Sequence, residues 1–125
     1  MADISYTVNA SCTYNGQTVS AAYTGTKTLA TGAAPLGTAQ TIGTIPEALT
    51  LGDTPLPALV VLQNVDAANF VEVDLVNPLV KKQKLYPAVT TGANLPLFLV
   101  VEAANTVYLQ ADTAPCIVNV TVFPI

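Results

Sequence analysis

The dipeptide Asn15-Gly16 constrains this chain more than any other local feature. A two-residue type I′ hairpin turn needs positive φ at both central positions, and Asn-Gly meets that need with the least strain. Folding the chain about it places Tyr14 opposite Gln17, Thr13 opposite Thr18, Cys12 opposite Val19 and Ser11 opposite Ser20. Further out, Ala10 meets Ala21, Val8 meets Tyr23, Thr7 meets Thr24 and Ser5 meets Thr26. One face of the ribbon is then apolar: Val8, Ala10, Cys12, Val19, Ala21 and Tyr23. The other is almost wholly hydroxyl: Ser5, Thr7, Ser11, Thr13, Thr18, Ser20, Thr24 and Thr26. A slip of one residue would mix the two faces, so turn and pattern specify the same register.

The rest of the chain continues in this style. Residues 31–39 read as a Gly/Ala/Thr/Pro loop and residues 40–45 as a short strand, with at most one turn of helix over 45–51. Leu59-Val60-Val61-Leu62 reads as a buried strand and residues 64–69 as a turn. In residues 70–76, Val71, Val73 and Leu75 point inward while Glu72 and Asp74 point outward. Asn77-Pro78 ends that strand. Residues 80–85 form a charged, exposed strand, 86–94 a loop, 97–102 a buried strand and 106–111 another. In the last strand Cys116, Val118, Val120 and Val122 oppose Ile117, Asn119, Thr121 and Phe123. No 3.6-residue apolar pattern is sustained. About eight or nine strands with closely spaced turn signals predict one all-β domain over 1–125, a jelly-roll-like β-sandwich with an amino-terminal hairpin.

Charge narrows the function. Charged residues are 10% of the chain, against about 25% in an ordinary soluble domain. Arginine, histidine and tryptophan are absent. A net charge of −4 with four lysines offers no basic footprint for phosphates, so no nucleic-acid partner is expected. Lys81, Lys82 and Lys84 form the one cationic cluster and read as a solvated edge. No run approaches the ~20 apolar residues of a membrane span. Residues 1–4 carry no basic region or apolar signal, and no export by a signal segment is expected.

Chemistry-bearing constellations are sparse. Without histidine a nucleophile lacks its usual base. The paired carboxylates Glu72 with Asp74, or Glu102 with Asp112, have no aromatic sugar platform around them and read as solvated side chains. Asn64, Asp66 and Asn69 share one turn and are the best place for a cation, but Asn and Asp also build tight turns through bonds to their own backbone. Cys12 and Cys116 lie on apolar phases of the first and last strands and read as small buried hydrophobes. They face each other if those strands are neighbours, although a disulfide is disfavoured without a secretion signal. No enzyme activity, cofactor or metal is expected. The hydroxyl face of the hairpin admits three readings: a solvated face, a protein interface, or an array that orders water.

The segment Val61-Leu62-Gln63-Asn64-Val65-Asp66-Ala67-Ala68-Asn69-Phe70-Val71-Glu72-Val73 resembles one found in small tailed-phage virion proteins: a strand ending in an Asn-x-Asp turn, then Asn, an aromatic and Val. Asn105-Thr106-Val107-Tyr108-Leu109-Gln110-Ala111-Asp112-Thr113-Ala114 is similar to their penultimate strand. The likeness covers roughly the carboxy-terminal half. Leu85-Tyr86-Pro87-Ala88 stands where that family often has a Leu-x-Pro-Gly-Glu turn, and the first hairpin has no counterpart in it.

The resemblance implies a β-sandwich of the phage particle, made in the host cytoplasm and located in the virion. The expected function is a capsid decoration or cement protein that binds the major capsid protein, as a homo-oligomer with a trimer favoured. The alternatives are a tail, collar or fibre component and a carbohydrate-binding module. The candidate interface is the hydroxyl face of the hairpin, with Asn64, Asp66 and Asn69 second.

Overall fold

Strand alternation in the last segment shows how the core is made. In a computed structural model describing residues 3–30, 34–87 and 95–125, Cys116, Val118, Val120 and Val122 are buried along one face of a nine-residue strand. Ten strands are present among the described residues: β1 (Asp3–Tyr14), β2 (Gln17–Thr28), β3 (Leu36–Ile42), β4 (Glu47–Ala48), β5 (Ala58–Asn64), β6 (Val71–Asp74), β7 (Gln83–Leu85), β8 (Leu97–Val101), β9 (Tyr108–Ala111) and β10 (Cys116–Pro124). The chain is all-β. Among the described residues no helix is long and apolar enough to cross a membrane.

Strands β3 to β10 pair as one long hairpin folded over on itself. β3 pairs with β10, β4 with β9, β5 with β8 and β6 with β7, all antiparallel. Two further pairings, β10 with β5 and β6 with β9, assemble the sheets β3-β10-β5-β8 and β4-β9-β6-β7. This is the strand order of a jelly roll. Val60, Leu62, Val118, Val120 and Val122 from the first sheet share one core with Val71, Val73, Leu85, Leu109 and Ala111 from the second. Full burial of each such valine or leucine contributes about 1.5–3 kcal/mol.

The chain crosses between sheets at a corner built by side chains. The Gln40 amide donates to the Ala48 carbonyl (3.1 Å), and its oxygen accepts from the Thr50 N–H (2.8 Å). Glu47 accepts from the Gly43 N–H at 3.0 Å. These bonds hold residues 43–50 as strand β4 and its flanks, where sequence reasoning allowed a turn of helix.

Several other boundaries differ from expectation. β3 starts at Leu36, so the preceding loop is shorter than 31–39; residues 31–33 lie outside the described residues. Leu75 is exposed, because β6 ends at Asp74 and the chain turns out of the sheet. The charged strand over 80–85 shrinks to β7, with Leu85 buried. The expected buried strand over 97–102 is the sheet edge β8, where Phe98 and Val100 are exposed. Most of the expected loop over 86–94 (residues 88–94) lies outside the described residues.

The Asn64–Asn69 turn is anchored by one interior side chain. Asn64 is 0% exposed. Its Nδ2 donates to the carbonyls of Asn69 (2.8 Å) and Leu85 (3.0 Å), and its Oδ1 accepts from the Asp66 N–H (2.9 Å). Asp66 Oδ1 in turn accepts from the N–H groups of Ala68 (2.8 Å) and Asn69 (2.6 Å). The local side-chain bonding expected of a tight turn is present in full.

Candidate protein-interaction arm

β1 and β2 form a sheet of their own, joined to neither sheet of the jelly roll. The register matches that required by Asn15-Gly16, from Tyr14 opposite Gln17 out to Asp3 opposite Thr28. Asn15 has φ 49° and Gly16 φ 76°, as a type I′ turn demands. Each strand has twelve residues, so the ribbon is about 40 Å long.

The ribbon stands off the body. Ile4 alone is buried, Ala21 and Gly25 are half-buried, and every other strand residue of the arm is exposed. At its root, the Ala30 N–H donates to the Pro124 carbonyl at 3.0 Å, tying the exit of β2 to the end of β10. The hydroxyl face is open as expected: Ser5, Thr7, Ser11, Thr13, Thr18, Ser20, Thr24 and Thr26 are all exposed. Thr13 and Thr18 exchange a hydroxyl hydrogen bond of 2.8 Å across the strands.

The apolar face is open as well, which corrects the reading of Cys12 as a buried hydrophobe. Val19 is 74% exposed, Tyr23 64% and Tyr14 76%. Cys12 is exposed while Cys116 is buried, and both are free thiols. They are not neighbours, because β10 lies between β3 and β5 and β1 pairs with β2 alone. Alternation identified which arm residues share a face. It carried no information on what covers that face.

No protein-family model, curated protein or solved structure matches the chain. Its surface must speak for itself.

Elsewhere the polar groups are occupied with structure. Asp74 accepts from the N–H groups of Leu75, Val80 and Lys81, each at 2.7 Å, and closes the loop after β6. These bonds, led by that from Val80, hold its carboxyl below the usual range. Glu72 pairs with Lys82 at 2.9 Å, and the Lys84 ammonium sits 4.2 Å over the Phe70 ring on the sheet edge β7. Backbone N–H donors from Asn69 and Ala68 lower the Asp66 carboxyl. Burial, with the nearby charges of Asp66 and Asp112, pushes the Cys116 thiol up. Among the described residues no cluster of three His, Cys, Asp or Glu side chains is placed to hold a metal. Asn69 is also tied to Thr113, whose hydroxyl donates to its Oδ1 at 2.7 Å.

One signal for the buried Asn64 was present in the sequence. It continues the inward phase of Ala58, Val60 and Leu62, so a polar side chain there has to find partners inside.

Proposed function

We propose that this chain is a structural virion protein of a tailed phage, a decoration or cement protein that binds and stabilises the major capsid lattice, most simply as a trimer. The observation that carries the proposal is the arm: a ribbon about 40 Å long, exposed on both faces, with no charged residue between Asp3 and Lys27. An uncharged surface of hydroxyl and apolar groups is covered by a neighbour without burying unpaired charge. The jelly-roll strand order, which recurs in viral capsid and lectin domains, supports the same reading, as does the likeness of residues 61–73 and 105–114 to virion proteins.

Stabilisation follows from mass action. A protein that binds the assembled lattice and not its dissociated parts adds about 2.7 kcal/mol per site at a hundredfold excess over Kd. The hydroxyl face of the arm is the surface assigned to the lattice. The test is capsid melting with and without the protein: a higher failure temperature is expected in its presence, and equal values would remove the proposal. A tail or fibre position is separated from this one by copy number in whole-particle images.

A glycan-binding reading would use tyrosines among Tyr6, Tyr14, Tyr23, Tyr86 and Tyr108, of which all but Tyr108 are exposed. In the ribbon register Tyr14 lies six residue pairs, about 20 Å, from Tyr23, so those two do not make one stacking platform.

A further inference from the structure

We infer that three copies of this chain assemble through their arms, which close edge to edge into a six-stranded antiparallel β-barrel with the apolar face inward and the hydroxyl face outward. This takes up the trimeric state in the reading above and assigns it a contact.

An isolated two-stranded ribbon is marginal in water, and this one has two exposed faces and two unpaired edges. Cyclic closure of three ribbons satisfies all of this except the hydroxyl face. The outer edge of β2 in one copy meets the outer edge of β1 in the next, and the pairing is antiparallel because the ribbons share one direction. No edge is left open.

The area also favours three copies. One ribbon face covers roughly 400 Å². Two copies packed face to face would bury about half of the ~800 Å² per partner that a stable interface uses, and would leave four edges bare. Closure of three covers the same face and both edges.

Side-chain size fits a narrow barrel. Six strands enclose less than the eight whose interior side chains just fill. The half of the apolar face nearer the turn is small, with Ala10 opposite Ala21 and Cys12 opposite Val19, while Tyr23 opposite Val8 stands at mid-length and Tyr14 at the tip. Eight or more strands around the same alanines would leave a void.

Charge points the same way. The chain carries a net charge of −4, but the ribbon carries no charge between Asp3 and Lys27, so its closure opposes no like charges there. Asp3 on β1 and Lys27 on β2 stand at the root on opposite faces of the ribbon, clear of the stretch that closes.

The experiment is the solution mass of the full chain at micromolar concentration, read by sedimentation. The expected mass is three times that of the 12.9 kDa chain. Val19→Lys and Ala10→Lys, on the inward face, should reduce it threefold to the monomer, while Ser20→Lys, on the outward face, leaves the trimer. Cys12 should resist alkylation in the wild-type protein and react in Val19→Lys, with Cys116 silent in both. A wild-type monomer or dimer, a trimer that survives both inward lysines, or a freely alkylated Cys12 in the wild type each overturns the inference. If the lysine variants do not fold, the wild-type mass and Cys12 protection decide. A trimer that leaves capsid melting unchanged removes the decoration reading and keeps this one; a stabilising monomer does the reverse.

Discussion

Asn64 donates its side-chain N–H to the Leu85 carbonyl 3.0 Å away, and by that bond ties the end of β5 in one sheet to β7 in the other. The same amide reaches the Asn69 carbonyl and the Asp66 N–H, so one buried side chain satisfies three backbone groups. Removing a partner from a buried backbone group costs about 1–3 kcal/mol. Asn64→Ala should therefore lower unfolding free energy by about 2–3 kcal/mol in a urea titration. Asn64→Asp should be worse at neutral pH, because a carboxylate there faces two carbonyl oxygens. A loss within error of zero for Asn64→Ala would remove the role given to this tie.

The arm and the core should respond differently to the same kind of truncation. Leu62 is fully buried between the sheets, and Leu62→Ala should cost about 2–5 kcal/mol. Val19→Ala, on the standing-off ribbon, should leave the melting of the jelly-roll body unchanged when measured on the dissociated chain. Equal losses from the two substitutions would mean that the ribbon packs on the body.

The Tyr6 ring lies across Gly25, its cross-strand partner. A Cβ added at Gly25 would stand 2.7 Å from Tyr6 Cζ, so the ring covers the gap left by the missing side chain. Gly25→Ala should turn the ring away. The Gly25 α-proton resonances should be shifted by the ring in the wild-type protein and return towards ordinary values in Tyr6→Leu. Unchanged resonances in that variant would place the ring elsewhere.

Acid should loosen the two loops closed by carboxylates. Asp66 and Asp74 are both held below their ordinary value of 3.8 by backbone N–H donors, foremost those of Asn69 and Val80. A depressed folded-state pKa gives stability that is complete above the unfolded value and is lost as pH falls through the folded one. Melting temperature should hold steady above about pH 5 and fall as pH drops below 3.8. Asp74→Asn should flatten that fall. An acid slope identical in Asp74→Asn and wild type would remove Asp74 from this account.

Parts of this structure were legible in the chain itself, for local reasons. The register of the first hairpin follows from Asn15-Gly16 together with alternation on either side, and both act over neighbouring residues. The inward set Cys116, Val118, Val120 and Val122 follows from period-two burial. The all-β class follows from turn signals and the lack of helical periodicity. The Asn-x-Asp turn and the inward phase of Asn64 were legible too, but its bond to Leu85 was not, since that depends on β5 and β7 meeting across the two sheets.

What covers a face is a different kind of question, and only the tertiary structure answers it. Val8, Cys12, Val19 and Tyr23 carry the same alternating signature as Val118 and Val120, yet the first set stands in the open and the second fills the core. Alternation depends on the pleat of a single strand. Burial depends on which distant strand arrives opposite, and here the folded-over pairing of β3 to β10 closes without the ribbon, leaving its apolar face exposed.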